Sequence, residues 1–367
     1  MSTRPTRRRI VTQSLLGGAA LSAQTTSSQT PPPAPADPRQ RLQSMIAGFQ
    51  VAQMIHVAAK LRLADHLKDG PQSVGQLAAA TGSHEDTLYR LLRTLASMGI
   101  FTEEDGMSFR LNAAASYLQS GVPGSLRVAA EVAGEDWMWR PWGDLLHSVK
   151  TGQTAFDHLY GKGTFDWFPE HPDAARLFDE FQAETTGGSI KAILGAYDFS
   201  TTRKLVDVGG GNGTLLSAIL QANPSTAGVL FDLDNVVASA RSKLDKAVMN
   251  RVEFEGGDFF KAVPQGGDVY LLKYILHDWN DESCQNILKN TSKAMSGKGR
   301  LLVIEDLICG PNQPCLSKNQ DVLMLVRTGG RNRTEKEYRE LLSRGGFVTT
   351  KVFPTAANHS ILEALPK

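Results

Sequence analysis

The stretch Lys204-Leu205-Val206-Asp207-Val208-Gly209-Gly210-Gly211-Asn212-Gly213-Thr214 is a short apolar run that stops on an acid and opens into glycines. Such a run is too short for a helix and fits a strand buried on both faces. Glycines free the backbone for a tight turn and for close approach to a ligand, and helical periodicity begins near Thr214. The same signal returns at Ala227–Phe231, Val252–Phe254, Val269–Lys273 and Arg300–Ile304, with helical stretches between most of these runs. Alternating strand and helix predicts an α/β fold, a doubly wound, Rossmann-like sheet. Ligands of such sheets sit beyond the carboxyl ends of the strands. The residues just after each strand are therefore the ones that carry function.

A nicotinamide enzyme would need G-x-G-x-x-G here. Counted from Gly209 the third glycine falls on Thr214, and counted from Gly211 on Leu216, so that fingerprint is not met. An acid followed by G-x-G-x-G suits a different ligand. The loop and the following helix N-terminus favour a carboxylate, and Asp207 offers an acceptor to an ammonium. Asp232 ends the second strand at the place where a carboxylate holds ribose hydroxyls. After the third strand, Asp258 can accept from an exocyclic amine while Phe259 covers a purine. An amino acid, a ribose and an adenine without phosphate together predict S-adenosylmethionine as cofactor.

The fourth strand runs into Leu271-Leu272-Lys273-Tyr274-Ile275-Leu276-His277-Asp278-Trp279-Asn280-Asp281. With DVGGGNG (207–213), LFDLDNVV (230–237), EGGDFF (255–260), VIEDLI (303–308) and GGRNRTEKEY (329–338), this order resembles the plant-type and bacterial small-molecule O-methyltransferases. That family includes caffeate, flavonoid, acetylserotonin and polyketide methyltransferases, and the likeness spans about residues 42–365. It implies a class I methyltransferase domain with an N-terminal dimerisation module. It also implies His277 as general base, Glu305 as the acid positioning it, and Gly209, Asp232, Asp258, Phe259 and Lys273 as cofactor contacts.

The residues support part of this independently. Methyl transfer to a hydroxyl needs a nucleophile made more basic and held in line, and a neutral imidazole with a pKa of about 6.5 suits that work. Glu305, after the fifth strand, would fix the tautomer if it accepts from the other ring nitrogen. No metal is required, and no cluster of ligating residues stands out. Two positions depart from the family pattern. Asn332 replaces a glutamate expected to be a second acidic partner of His277, and Asp234 replaces a proline, which reads as a helix cap.

Outward from this core, residues 1–40 read as a leader or tail, with Arg7-Arg8-Arg9 before a weak apolar run, export-like or transit-like, ahead of a cytoplasmic enzyme. Gln24–Pro38, with five prolines and five Ser/Thr, reads as a linker. Residues 41–120 predict a mainly α winged-helix unit. Val51 to Leu67 keeps a helical apolar stripe suited to dimerisation, Ser83 is placed to cap the helix carrying Leu88, Leu91, Leu92 and Leu95, and Asp105-Gly106 signals a hairpin. Residues 121–200 are helical and rich in Trp and Phe, and residues 201–367 form the cofactor domain.

Charge argues against nucleic acid. The first forty residues carry +4, leaving the body at −3 and without a basic face. No run approaches the roughly 18 apolar residues of a membrane span. Cys284, Cys309 and Cys315 are too few, and wrongly spaced, for a disulfide scaffold or zinc site. The reading is a homodimeric O-methyltransferase acting on an aromatic or polyketide-like hydroxyl, with Asn319, Asp321 and Met324 as walls of the acceptor site. Its rivals are a relative turned to decarboxylation or hydroxylation, and a winged-helix regulator that senses the cofactor.

Overall fold

The computed structural model describes residues 37–295 and 299–367. The expectations for residues 1–36 fall outside the described residues. The chain divides into a unit ending at Ala47 and a second unit, Gly48–Lys367. The described part of the first is helix α1 (Pro38–Ile46) with Pro38 at its start, and Asp37 accepts from the Arg39 amide at 3.1 Å. Proline belongs in a first helical turn, where its missing N–H is not needed. The expected linker therefore ends before Pro38.

In the second unit α2 (Gly48–Lys60), α3 (Leu63–His66), strand β1 (Gln72–Ser73), α4 (Val74–Thr81), α5 (Glu85–Ser97), β2 (Thr102–Glu104) and β3 (Ser108–Arg110) make the winged-helix plan. The hairpin turns through Gly106 and Met107 at positive φ, and β1 adds to its other edge. Ser83 does not cap α5, contrary to expectation. Gly82 ends α4 in the left-handed region, Ser83 is spent accepting from Thr81 Oγ1 at 2.8 Å, and α5 begins after His84 without a side-chain cap. The capping box belongs to α4 instead, between Ser73 and Gln76. The stripe from Val51 to Leu67 is also largely internal. Ala58, Leu63, Ala64 and Leu67 lie in the core of this module with Met54, Ile55 and Leu61 against it. On α2 it is Phe49 and Val57 that remain exposed.

Six helices follow: α6 (Arg127–Gly134), α7 (Asp136–Gly143), α8 (Leu145–Thr151), α9 (Ala155–Tyr160), α10 (Thr164–Trp167) and the long α11 (Pro172–Ala196). Val128, Val132, Trp137, Met138, Phe156 and Phe168 form their buried centre. Trp137 meets Phe168 edge-on at 5.4 Å, the favoured geometry for rings of opposed quadrupole.

The remaining chain supplies β4 (Lys204–Val208), α12 (Thr214–Ala222), β5 (Ala227–Asp232), α13 (Asp234–Lys243), β6 (Val252–Gly256), β7 (Val269–Lys273), α14 (Asp281–Met295), β8 (Arg300–Glu305), α15 (Leu316–Arg327), α16 (Glu335–Arg344), β9 (Phe347–Pro354) and β10 (Ser360–Pro366). One sheet runs β6-β5-β4-β7-β8-β10-β9. Its first five strands are parallel, and β10 pairs antiparallel with β8 and β9. The order reverses between β4 and β7, and the glycine loop opens at that switch point. A sequence reading that stops at Arg300–Ile304 misses β9 and β10, whose exposed positions follow no strict alternation. Cys309 and Cys315, left unpaired by their spacing, form one local disulfide between β8 and α15, while Cys284 is a buried thiol.

Candidate active site

Between β4 and α12 the chain passes through Gly209, Gly211 and Gly213, with φ of 72°, 56° and 77°. A side chain at Gly209 would run into Ile275 and stand 3.8 Å from the Phe259 ring, so this position needs glycine for space as well as for conformation. The amides of Gly211 and Leu233 donate to the two oxygens of Asp232 at 2.9 and 2.7 Å, which fixes its carboxylate at the mouth of the loop. Burial raises the Asp232 pKa, and those two amides hold it back.

Asp207 lies beneath, and burial lifts its carboxyl to about 7, with Lys273 opposing and Asp232 adding to the rise. Burial likewise lowers the Lys273 ammonium to about 8 against the pull of Asp207, Glu305 and Asp306. Its Nζ donates to Thr186 Oγ1 of α11 at 3.0 Å and stands 4.0 Å over the Tyr274 ring. Asp258 Oδ1 accepts from the Phe260 amide at 2.8 Å, and Phe259 is edge-on to Phe260 and Trp279. The sequence-selected Gly209, Asp232, Asp258, Phe259 and Lys273 thus gather at one end of the sheet. Together with Asp207 they fit S-adenosylmethionine: a backbone cradle for the carboxylate, a buried acid for the ammonium, a fixed acid for the ribose and an apolar wall for the base.

His277 reaches this edge because of its neighbour. Tyr274 follows β7 with φ of 55°, a left-handed conformation that costs a bulky residue about 1–2 kcal/mol. It is pinned by its amide to Ile304 O and by its hydroxyl to Asp306 Oδ1, both at 3.0 Å. The chain then bends into a short 3₁₀ turn, Leu276–Asp278, across from the end of β8. Glu305 Oε2 lies 2.7 Å from His277 Nδ1, and Oε1 accepts from the His277 amide at 3.2 Å. Both side chains are buried. Asp278 Oδ1 stands 3.7 Å from Nε2. Burial alone would lower the imidazole pKa, but Glu305, Asp278 and Asp306 prevail and hold it at about 9. These acids favour the charged form of the ring, where the sequence reading expected a neutral imidazole.

The departures from the family pattern also resolve. Asn332 is buried, donates to Asp306 O at 3.2 Å and to Gln320 Oε1 at 3.4 Å, and leaves its own Oδ1 without a partner among the described residues. The second acid beside the imidazole is Asp278, a residue within the quoted motif to which sequence reasoning gave no role. Asp234 does not cap α13: Leu233 takes that place, and Asp234 is the first helical residue, where its charge still favours the dipole. Of the proposed acceptor-site walls, Met324 is buried and Asp321 accepts from the Asn332 amide at 2.9 Å, but Asn319 is exposed near the start of α15. After α15, Gly330 abuts the turn carrying His277 so closely that a Cβ would collide with the backbone of His277 and Asp278.

One side-chain group escaped the sequence. Asp144, His147 and His158 bring one ligand atom each within 4.8 Å of the others, contrary to the expectation that no metal-ligating cluster exists. They come from two different helices and their flanks, so no short motif announces them. His147 and His158 stack at 3.9 Å.

Comparison with known proteins gives the same picture. The model of the O-methyltransferase domain matches residues 142–348, and that of the O-methyltransferase dimerisation domain matches residues 43–121. A phenazine O-methyltransferase of Lysobacter antibioticus is 43% identical over 89% of this chain and 95% of its own length. A phenazine-1-carboxylate N-methyltransferase of Pseudomonas aeruginosa is 34% identical over 84% of this chain and 91% of its own. Human N-acetylserotonin methyltransferase, solved in complex with S-adenosylmethionine, superposes with a TM-score of 0.83 at 28% identity, covering 90% of this chain and 98% of that one.

Proposed function

The chain belongs to the O-methyltransferase family and is an S-adenosylmethionine-dependent methyltransferase of secondary metabolism, and from that premise we propose that it methylates a hydroxyl on an aromatic or polyketide-like small molecule with His277 as general base. The cofactor supplies an electrophilic methyl group on a sulfonium. Asp232 binds the ribose hydroxyls, Asp258 and Phe259 hold the adenine, and Lys273, tied to Thr186, fastens α11 over the pocket. His277 Nε2 takes the hydroxyl proton, and Glu305, bonded to Nδ1, keeps the ring oriented and stabilises its charge.

The observation that carries this reading is the buried His277–Glu305 pair at the cofactor end of the sheet. Relatives include N-methyltransferases, and the imidazole held by Glu305 supports an acceptor that has a proton to lose. An aromatic ring nitrogen has no proton to lose, whereas a phenol does, and a positioned imidazole is suited to take it. A ring favoured in its charged form must lose that proton before it can act as a base, so turnover should climb as pH rises.

We assign residues 41–120 to dimerisation, 121–200 to the acceptor and 201–367 to the cofactor, and the working unit to a homodimer. No described helix is long and apolar enough to cross a membrane. Incubating the chain with isotope-labelled cofactor and a library of phenols, naphthols and their amino analogues, read by mass spectrometry, tests the reaction. Label on nitrogen alone refutes the hydroxyl reading. Light scattering should report a dimer that Phe49→Glu with Val57→Glu weakens, and a monomer at micromolar concentration contradicts the assignment.

A further inference from the structure

Arg327, the last residue of α15, is buried, yet its Nε and Nη2 have no hydrogen-bond partner among the described residues. Its backbone is held by Thr164, whose hydroxyl donates to Arg327 O at 2.7 Å. The guanidinium carbon lies 5.5 Å from the centroid of Trp137 and 5.2 Å from that of Phe178, so the cation rests against two ring faces or edges of the aromatic cluster. Among the described residues the acid that acts on its charge is Asp278, which stands beyond ion-pair distance with its carboxylate near His277 Nε2. Burial lowers the guanidinium pKa to about 10 despite Asp278.

A guanidinium in a low-dielectric site is strongly unfavourable unless its charge and its donors are matched. Elsewhere among the described residues the charge of a buried guanidinium is matched by an acid, although Arg127 Nε also lacks a partner. Buried Arg127 bonds Glu131 and Glu180, and buried Arg333 bonds Asp281 and the carbonyls of Leu276 and Trp279. Arg327 has no bonded acid, and from the end of α15 it packs beside the turn that carries His277 and against the rings of the helical segment assigned to the acceptor. Phe165, stacked on Trp279 at 5.6 Å, links that segment to the cofactor wall.

We propose that Arg327 is the docking cation for a carboxylate on the acceptor, and that the substrate class is an aromatic hydroxy acid carrying that carboxylate beside the hydroxyl to be methylated. This rests on the acceptor reading above. The planar fork of the guanidinium matches a carboxylate in two parallel hydrogen bonds, and the Trp137–Phe178 pair packed against it offers an apolar surface that suits an aryl acid better than a phosphate ester. Arg327 then sets specificity and His277 does the chemistry.

The test uses the full chain with S-adenosylhomocysteine and calorimetry. Wild type should bind 2-naphthoate on the order of 10- to 100-fold more tightly than 2-naphthamide, the worth of a charge-assisted pair. Arg327→Met should erase the preference, and Arg327→Lys should keep part of it. Melting of Arg327→Met should be no earlier than wild type, because an unmatched charge is removed, and 2-naphthoate should raise the melting temperature of wild type alone. Equal affinity for acid and amide in wild type, or no binding of the acid, overturns the proposal without any variant, as does a preference that survives in Arg327→Met. The probe has no hydroxyl, so the outcome is independent of methyl transfer. Tight, Arg327-dependent binding of 3-hydroxy-2-naphthoate without its methylation would refute the hydroxyl reaction and leave the docking site standing.

Discussion

His277 at the end of the sheet and Arg327 at the end of α15 are both buried basic side chains, but the fold treats them in opposite ways. Around His277 it supplies a bonded glutamate, a nearby aspartate and a further acid, so the charge is answered before any ligand arrives. Around Arg327 it supplies aromatic rings and leaves two donors open. On the proposed reading, the site that performs chemistry on every substrate has its electrostatics completed internally. A site that selects among substrates leaves the last term to the ligand.

The strongest way to break this contrast is at the base. His277→Ala should lower kcat by about two to four orders of magnitude, with S-adenosylhomocysteine affinity unchanged by calorimetry. Near wild-type turnover would leave orientation alone to drive transfer. Next in size is Asp232→Ala, which removes a carboxylate fixed by two amides. Affinity for S-adenosylhomocysteine should fall on the order of 10- to 100-fold, and an unchanged value would put the ribose elsewhere.

The contrast is sharpened by Glu305→Gln. Loss of the bonded carboxylate should move the rising limb of the kcat/KM profile from near pH 9 toward lower pH, by roughly one unit or more. A limb that stays in place would uncouple the pair. The smallest effect is on stability. The imidazole pKa is raised on folding, so its contribution is fully present below about pH 6.5 and is lost as pH rises through about 9. The stability gap between wild type and His277→Gln should therefore narrow across that window in urea melts, and a gap that is flat with pH would contradict the shift.

Much of the sheet end was legible because each of its residues follows a strand, and strands announce themselves locally. Parallel pairing of β7 with β8 brings His277 and Glu305 together across 28 positions with no long-range information beyond that rule. Asp278 was visible in the motif, but its service to the imidazole depends on the left-handed turn at Tyr274, which no propensity predicts for tyrosine. Arg327 was illegible for a different reason. Its meaning lies in what it lacks, and an absent partner is a property of packed neighbours from three helices. The same holds for Asp144, His147 and His158, and for Ser83, whose hydroxyl is taken up by Thr81 rather than by the helix that follows it.

The contact at Gly330 carries a consequence for how such an enzyme can diversify. Backbone meets backbone there, with no side chain between to absorb a change of length. An insertion or deletion in α15 would be felt at His277 as a displacement, whereas exchange of side chains along α15 would not. A lineage built on this frame can change the molecules it accepts by point substitution on one helix while the reacting end keeps its alignment, and indels there should be tolerated only where activity is no longer under selection.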